Sequence, residues 1–294
     1  MKANKVCVDC CEVKAIGYIE DAAFPEDKRE EAKERLAEIV GLGETMSAPE
    51  VMAEMLQMIG EYRSTEELFG DIKNVYNDIL LSLEKEVTDE IRQDEDPLLA
   101  GMQYAITGNY IDAIAVDDVQ ESKLRELLAA RKNIGFNPEE VENLRNDLAG
   151  AKKLLYIVDN AGEVVLDKFF VTVLKELYPE LQIGVMVRGE FVLNDATEED
   201  AKLIGFDKVA EIISNGTYVP GTPLERMSGY PKEWAETADV CIAKGQGNFE
   251  TLRGSGINVY YLFLCKCHMF VDKFKVEPFT PMIVNERRTD FILK

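Results

Sequence analysis

Apolar residues recur along this 294-residue chain with two different periods. In the first half the period is helical. Val51, Met52, Met55, Leu56 and Ile59 share one face at steps of three and four, and Leu68, Ile72, Val75, Ile79 and Leu80 repeat the pattern. Ser47-Ala-Pro-Glu50 precedes the first run and Ser64-Thr-Glu-Glu67 the second. A hydroxyl followed by a carboxylate three positions on is the signature of a capping box. Asn137-Pro-Glu-Glu140 predicts a further helix, with Asn as the cap and Pro in the first turn.

In the second half the apolar runs shorten. Runs at 154–158, 183–187, 209–213, 240–243 and 259–264 are of strand length and rich in Val and Ile. Helical stretches lie between them, such as 164–177 and 198–204. This alternation predicts βαβ units and a buried, mostly parallel sheet, hence an α/β fold class. The change of period falls near residues 148–152, at Leu148-Ala-Gly-Ala151. It divides the chain into a helical domain over 1–150 and an α/β domain over 151–294, with the N-terminal segment free to pack on the second. No internal repeat or low-complexity segment interrupts the pattern.

Charge narrows the possible functions. The chain carries 33 basic and 55 acidic residues, a net −22. Binding nucleic acid through a basic face needs clustered Lys and Arg, so this balance excludes it. Docking on anionic lipid is disfavoured for the same reason. The acidity is uneven: residues 1–150 hold 34 acidic and 16 basic side chains, and residues 151–294 hold 21 and 17. The acidic helices read most simply as a solvated outer face. No apolar run reaches the ~20 residues of a membrane span, and Met1 to Asp9 lacks the apolar core of a signal peptide. Six cysteines are too few for a disulfide scaffold of this length. The expectation is a cytoplasmic protein with reduced thiols.

In an open parallel sheet, ligands bind beyond the carboxyl ends of the strands. The first predicted strand runs into Asp159-Asn160-Ala-Gly-Glu163, where a carboxylate beside a carboxamide suits a hard divalent cation. Equally, Asp159 or Asn160 could simply cap the next helix. The second strand runs into Arg188-Gly189 and then Asn194-Asp195-Ala-Thr197. Thr197 and Asp200 form a capping box, so Asp195 falls in the loop on the same sheet edge as Asp159. It is either a third oxygen donor or part of a turn-forming Asn-Asp pair. The fourth strand ends in Lys244-Gly-Gln-Gly-Asn248-Phe-Glu250, where two glycines and a lysine could face an anion or form a plain tight turn. Neither GxxxxGK[ST] nor GxGxxG occurs. Together the three loops supply donors for a cation and a cradle for an anion, the minimal kit for phosphoryl transfer to water.

These residues also carry a resemblance. Tyr156-Ile-Val-Asp159-Asn160-Ala-Gly-Glu163 resembles the signature of the metal-dependent damage-control phosphatases, long filed as domain-of-unknown-function family 89. So do Arg188-Gly with Leu193-Asn-Asp195-Ala-Thr197, and Lys244-Gly-Gln-Gly-Asn248-Phe-Glu250. In the helical half, Asp96-Pro97-Leu98 and Gly108-Asn109-Tyr-Ile-Asp112 look like two further family segments. The resemblance implies an all-helical domain preceding a three-layer, Rossmann-like α/β domain. It implies hydrolysis of phosphate monoesters of small metabolites, such as sugar phosphates, with Mn, Ni, Co or Mg. Asp159, Asn160 and Asp195 would hold the metal and Lys244 the phosphoryl group. Gly245, Gly247, Asn248, Asn109 and Asp112 would lie against the substrate, and Glu163 would assist as a catalytic group or orient a water. Attack is expected from a metal-activated water rather than from Asp159.

One branch of that family has an N-terminal CxxC and a Lys-Cys pair, which Cys7-Val-Asp-Cys10 and Lys266-Cys267 resemble. Cys7, Cys10 and Cys267 are therefore candidates for a second, thiol site, though reduced buried thiols that tie the N-terminus down would look the same. The lone His268 makes histidine-based acid–base chemistry improbable, and Trp234 reads as a packing residue. Two other functions remain open on sequence: an S-adenosylmethionine-dependent methyltransferase and a non-enzymatic sensor of phosphorylated metabolites.

Overall fold

The structure is a computed structural model that describes residues 1–64, 77–114 and 121–288. Glu67, Leu68, Ile72 and Val75 lie outside the described residues, as does the side chain of Asp112. The chain opens with three helices, α1 (Lys5–Glu20), α2 (Arg29–Leu42) and α3 (Ala48–Gly60). The capping box at Ser47 forms: the Glu50 carboxylate accepts from the Ser47 N–H at 2.9 Å and from its hydroxyl at 2.7 Å. Ile19, Phe24, Leu36, Val51, Met55, Leu56 and Ile59 close a small core between these helices.

Among the described residues further helices follow, including α4 (Glu84–Gln93), α5 (Pro97–Ile114), α6 (Glu121–Ala130) and α7 (Pro138–Gly150). Asn137 caps α7, its side chain accepting from the Glu139 N–H at 3.0 Å. Strands and helices then alternate as β1 (Lys153–Ile157), α8 (Glu163–Leu177), β2 (Gln182–Val187), α9 (Glu198–Leu203) and β3 (Glu211–Ser214). The chain continues through α10 (Gly229–Thr237), β4 (Val240–Lys244), α11 (Gln246–Leu252), β5 (Val259–Cys265), α12 (His268–Phe274) and β6 (Thr280–Asn285).

The sheet order is β3-β2-β1-β4-β5-β6. The first five strands are parallel, and β6 runs antiparallel on the edge. β1 pairs with both β2 and β4, so the strand order reverses at β1 and opens a crevice beyond its carboxyl end. β3 begins two residues later than the apolar run at 209–213, because Val209 and Ala210 give their N–H groups to Phe206 O in a tight turn. β6 is absent from the sequence reading. Its Pro281 cannot donate to a ladder and is tolerated on an edge strand.

One face of the sheet, with Tyr156, Val158, Val185, Val187, Tyr260 and Leu262, shares a continuous core with Phe169 and Phe170 of α8. Leu98, Met102 and Ala105 of α5 and Leu144 and Leu148 of α7 belong to that same core. The expected domain boundary near residue 150 thus runs through shared packing, and the smaller core of α1–α3 also takes in Val192 from the loop after β2. The approach of α5 to α8 is close: a Cβ at Gly101 would lie 2.1 Å from Phe170 Cδ2. The opposite face packs Ile157, Met186, Trp234, Phe249, Tyr261 and Phe270. Among the described residues no helix is long and apolar enough to cross a membrane.

Candidate active site

Beyond β1 the chain turns through Asp159, Asn160, Ala161 and Gly162 into α8. Gly162 has φ 79°, a conformation that favours glycine. The loop after β2 is stitched to this turn by main-chain bonds. Ala161 N–H donates to Asn194 O at 2.8 Å and Ala196 N–H to Asp159 O at 2.8 Å, and Asn160 and Asp195 form an antiparallel bridge. This ladder brings Asp159, Asn160 and Asp195 together. Asn160 Nδ2 donates to Asp159 Oδ2 at 3.2 Å. On the other side Gly245, with φ 77°, leaves room for the carboxylate: a Cβ there would fall 1.9 Å from Asp159 Oδ2.

Arg188, which carried no role in the sequence reading, lies between the two acids and is fully buried. Its Nε donates to Asp195 Oδ2 at 2.6 Å, its Nη2 to Asp159 Oδ1 at 3.4 Å and its Nη1 to Thr222 Oγ1 at 3.4 Å. The only sequence signal was a charged residue directly after an apolar strand. The guanidinium offsets one of the two negative charges, and the remaining charge favours a further cation. Two carboxylates and a carboxamide form a hard-oxygen donor set, so these residues fit a divalent metal. Among the described residues no three His, Cys, Asp or Glu side chains form a group that could hold a metal ion. The candidate set therefore depends on Asn160 as a donor.

Deeper in, Lys244 is completely buried. Its ammonium donates to Ala105 O at 2.9 Å, to Asp167 Oδ1 at 2.8 Å and to Glu163 Oε1. Tyr156 donates its hydroxyl to Asp167 Oδ1 at 2.7 Å. Glu163 connects this cluster to the turn above through Asn160 Nδ2 at 3.4 Å. Burial alone would lower the Lys244 ammonium, but Asp167 and Glu163 outweigh it and hold the group above the ordinary lysine value. Burial pushes the Asp167 carboxyl up to about 6 against the opposing pull of Lys244, and burial also raises Tyr156. The sequence expectation was a lysine facing an anion. In the structure all three of its ammonium protons are directed at acceptors of the chain itself. Asp167 was also missed, although it lies four residues after Glu163 and therefore on the same face of α8.

The two glycines of the β4 loop serve close packing here. Gly245 N–H donates to Leu262 O at 3.0 Å, and a Cβ at Gly247 would lie 2.3 Å from Pro220 O. Asn248 clips the framework together. Its Nδ2 donates to Val158 O at 3.0 Å and Lys244 O at 2.7 Å, and its Oδ1 accepts from Thr222 Oγ1 at 2.8 Å. Asn109, buried on α5, accepts from the Leu264 N–H at 3.4 Å. Asn77, unmarked in the sequence and distant along the chain, accepts from the Gly162 N–H at 2.8 Å.

Of the candidate thiols, Cys7 and Cys10 lie on α1 and Cys267 directly precedes α12. All six cysteines are free; Cys7 and Cys11 are buried, whereas Cys10, on a different face of α1, is exposed. The Cys7 thiol donates toward Met269 Sδ at 3.8 Å. Burial pushes Cys7 up and Cys11 up to about 12, so both stay protonated thiols. Cys7, Cys10 and Cys267 are included in the finding that no described group of three such side chains could hold a metal.

Comparison with known proteins gives this geometry its relatives. The family model described as "Damage-control phosphatase ARMT1-like domain" matches residues 3–280. A damage-control phosphatase of Pyrococcus horikoshii is 34% identical over 181 residues, 60% of each chain. That alignment spans less than two thirds of the relative's length. A damage-control phosphatase of Archaeoglobus fulgidus is 28% identical over 213 residues, covering 70% of this chain and 72% of the relative. An uncharacterized protein of Methanocaldococcus jannaschii is 28% identical over 281 residues, 91% of each. The crystal structure of a DUF89 family protein from Pyrococcus horikoshii superposes with a TM-score of 0.79 and 26% identity, over 97% of this chain and 99% of that one. With the family model matching almost the whole length, the chain belongs to the family of damage-control phosphatase ARMT1-like domains.

Proposed function

We propose that this chain is a divalent-cation-dependent phosphatase that hydrolyses phosphate monoesters of small metabolites, with sugar phosphates as the substrate class. The observation that supports this most is the main-chain stitching that brings Asp159, Asn160 and Asp195 together above the Lys244 cluster. The names of its relatives support the phosphatase class.

Asp159, Asn160 and Asp195 would hold Mn, Ni, Co or Mg. Bound there, the cation would supply Lewis-acid polarisation of a phosphoryl oxygen and acidify the attacking water. Arg188 fixes both acids in place and leaves them a net charge that one divalent ion converts to positive, matching an incoming phosphate. Water is the nucleophile in this reading, because Asp159 is engaged by Arg188 and its Oδ2 lies against Gly245. Lys244 is assigned to the developing phosphoryl charge, and to touch it the ammonium exchanges one of its three acceptors. Glu163, between Asn160 and Lys244, is the acceptor nearest the turn and the group that would then orient water. Asn109, Asp112, Gly245, Gly247 and Asn248 are assigned to the substrate side of the site.

The test is a panel of phosphate esters assayed with each of Mn, Co, Ni and Mg and with EDTA. Phosphate release that needs a divalent ion and disappears in Asp195→Ala is the expected result. Absence of release with every metal would remove the reading.

A further inference from the structure

Leu193 has φ 48°, in the left-handed region that bulky side chains avoid. It is the first inner residue of a tight turn, closed by the Asp195 N–H, which donates to Val192 O at 3.1 Å. A turn with positive φ at that position is ordinarily built with Gly, Asn or Asp. Leucine is strained there, and strain of this kind persists where the surrounding structure over-determines it. The surroundings here include α1–α3. Val192 is buried in the core of those helices and Leu193 packs against it. The same helices grip the neighbouring loop after β3. Tyr218 donates its hydroxyl to Glu54 Oε1 at 3.0 Å. Arg226 donates through Nε to Glu50 Oε1 at 2.8 Å and through Nη1 to Glu54 Oε1 at 3.2 Å. The N–H groups of Gly189 and Glu190 join the two loops by donating to Thr217 O, at 2.9 and 3.2 Å. Directly beyond the strained residue lie Asn194, whose oxygen accepts from the Ala161 N–H, and Asp195, which bridges to Asn160.

We infer that Leu193 is a positioning residue for the cation site: its side chain, seated against the α1–α3 core, holds the left-handed turn that presents Asp195 beside Asp159 and Asn160. The inference rests on the divalent-cation reading above. It gives α1–α3 a part in a site to which they contribute none of the three candidate ligands. Glycine at residue 193 would relax the turn and cut its tie to the helices. Methionine would keep an apolar anchor of similar volume.

The experiment measures manganese affinity by calorimetry, and the urea midpoint, for wild type, Leu193→Gly and Leu193→Met at a temperature where each is folded. Manganese binding is expected to weaken about tenfold in Leu193→Gly, the usual result of freeing a group that orients a ligand. Leu193→Met keeps the anchor and is expected to bind manganese as the wild type does. Wild-type affinity in Leu193→Gly overturns the assignment; if its urea midpoint has fallen meanwhile, the side chain serves packing alone. Equal weakening in Leu193→Gly and Leu193→Met makes the loss independent of the anchor and overturns it too. Should Leu193→Gly fail to fold, Leu193→Ala, which also lacks the anchor, is read in the same way. Wild-type protein that binds no manganese removes the cation reading itself, and this assignment with it; wild-type binding that the variants share removes this assignment and leaves the cation reading standing.

Discussion

Gly245 and Asp159 are in such close contact that no side chain fits between them: a Cβ on residue 245 would stand 1.9 Å from Asp159 Oδ2, 2.2 Å from Cγ and 2.8 Å from Oδ1. The backbone at Gly245, φ 77° and ψ 161°, is also one that other residues avoid. Gly245→Ala must therefore move the carboxylate. A misplacement of this order lowers kcat/KM about a hundredfold, and manganese binding measured by calorimetry should weaken in parallel. An alanine variant that binds manganese as the wild type does would show that the carboxylate has room to spare.

Lys244 neutralises two buried carboxylates. Lys244→Met leaves Glu163 and Asp167 facing each other without a cation, so unfolding in urea should show a loss of about 3–5 kcal/mol. The conservative Lys244→Arg should also be destabilised, since the compact ammonium site with its three acceptors has no space for a planar guanidinium. A loss below about 1 kcal/mol in Lys244→Met would mean that the carboxylates are rehydrated in the variant.

The raised Asp167 carboxyl makes stability depend on pH in a particular sense. Folding takes it from an ordinary 3.8 up to about 6, chiefly through burial, with Lys244 pulling the other way. The native state therefore binds this proton more tightly than the unfolded chain. The stabilisation is complete below the lower value and is lost as pH rises through the upper one, by about 3 kcal/mol in all. Wild type should thus lose ground to Asp167→Asn between pH 4 and 7 in urea titrations. A constant difference across that window would place the Asp167 carboxyl at its ordinary value.

A divalent ion at Asp159, Asn160 and Asp195 would stabilise the fold that creates its site. At a free concentration about 100 times Kd the gain is about 2.7 kcal/mol, read as a rise in Tm on adding manganese and reversed by EDTA. Asp195→Asn should abolish the rise. An equal rise in the variant would locate the ion elsewhere.

Much of the architecture was legible because local pattern and tertiary role agree. The Val- and Ile-rich runs became β1 to β5, and the Ser47, Asn137 and Thr197 caps start helices where the spacing put them. The sheet edge shared by Asp159 and Asp195 followed from strand direction alone. β6 was hidden because an edge strand with Pro281 and a half-exposed start carries neither alternation nor a long apolar run. The shared core of α5 had a signal that went unread. Leu98, Leu99, Ala100, Met102, Tyr104, Ala105 and Ile106 make it apolar nearly all round, the mark of a helix buried between layers.

The interior of the site was less legible. A lysine before glycines looks the same in sequence whether it faces solvent, an anion or two carboxylates. Asp167 sits in an otherwise apolar helix and Tyr156 in an apolar strand, and nothing local announces that they meet. Asn77 and Gly162 are joined only by folding.

One acceptor of Lys244 is the peptide oxygen of Ala105, in the middle of α5. A main-chain oxygen is indifferent to which residue bears it, so mutation cannot delete it and sequence drift cannot reveal it. What must be inherited is the path of the helix. Chimeras that exchange the helical layer between relatives should work when α5 keeps its course over Gly101 and Gly108, however far its other positions diverge, and should fail when a side chain at either glycine lifts the helix away. The α/β half expressed alone would leave that ammonium proton without its partner, so the α/β half depends on α5, from whichever relative it comes, to complete the Lys244 cluster.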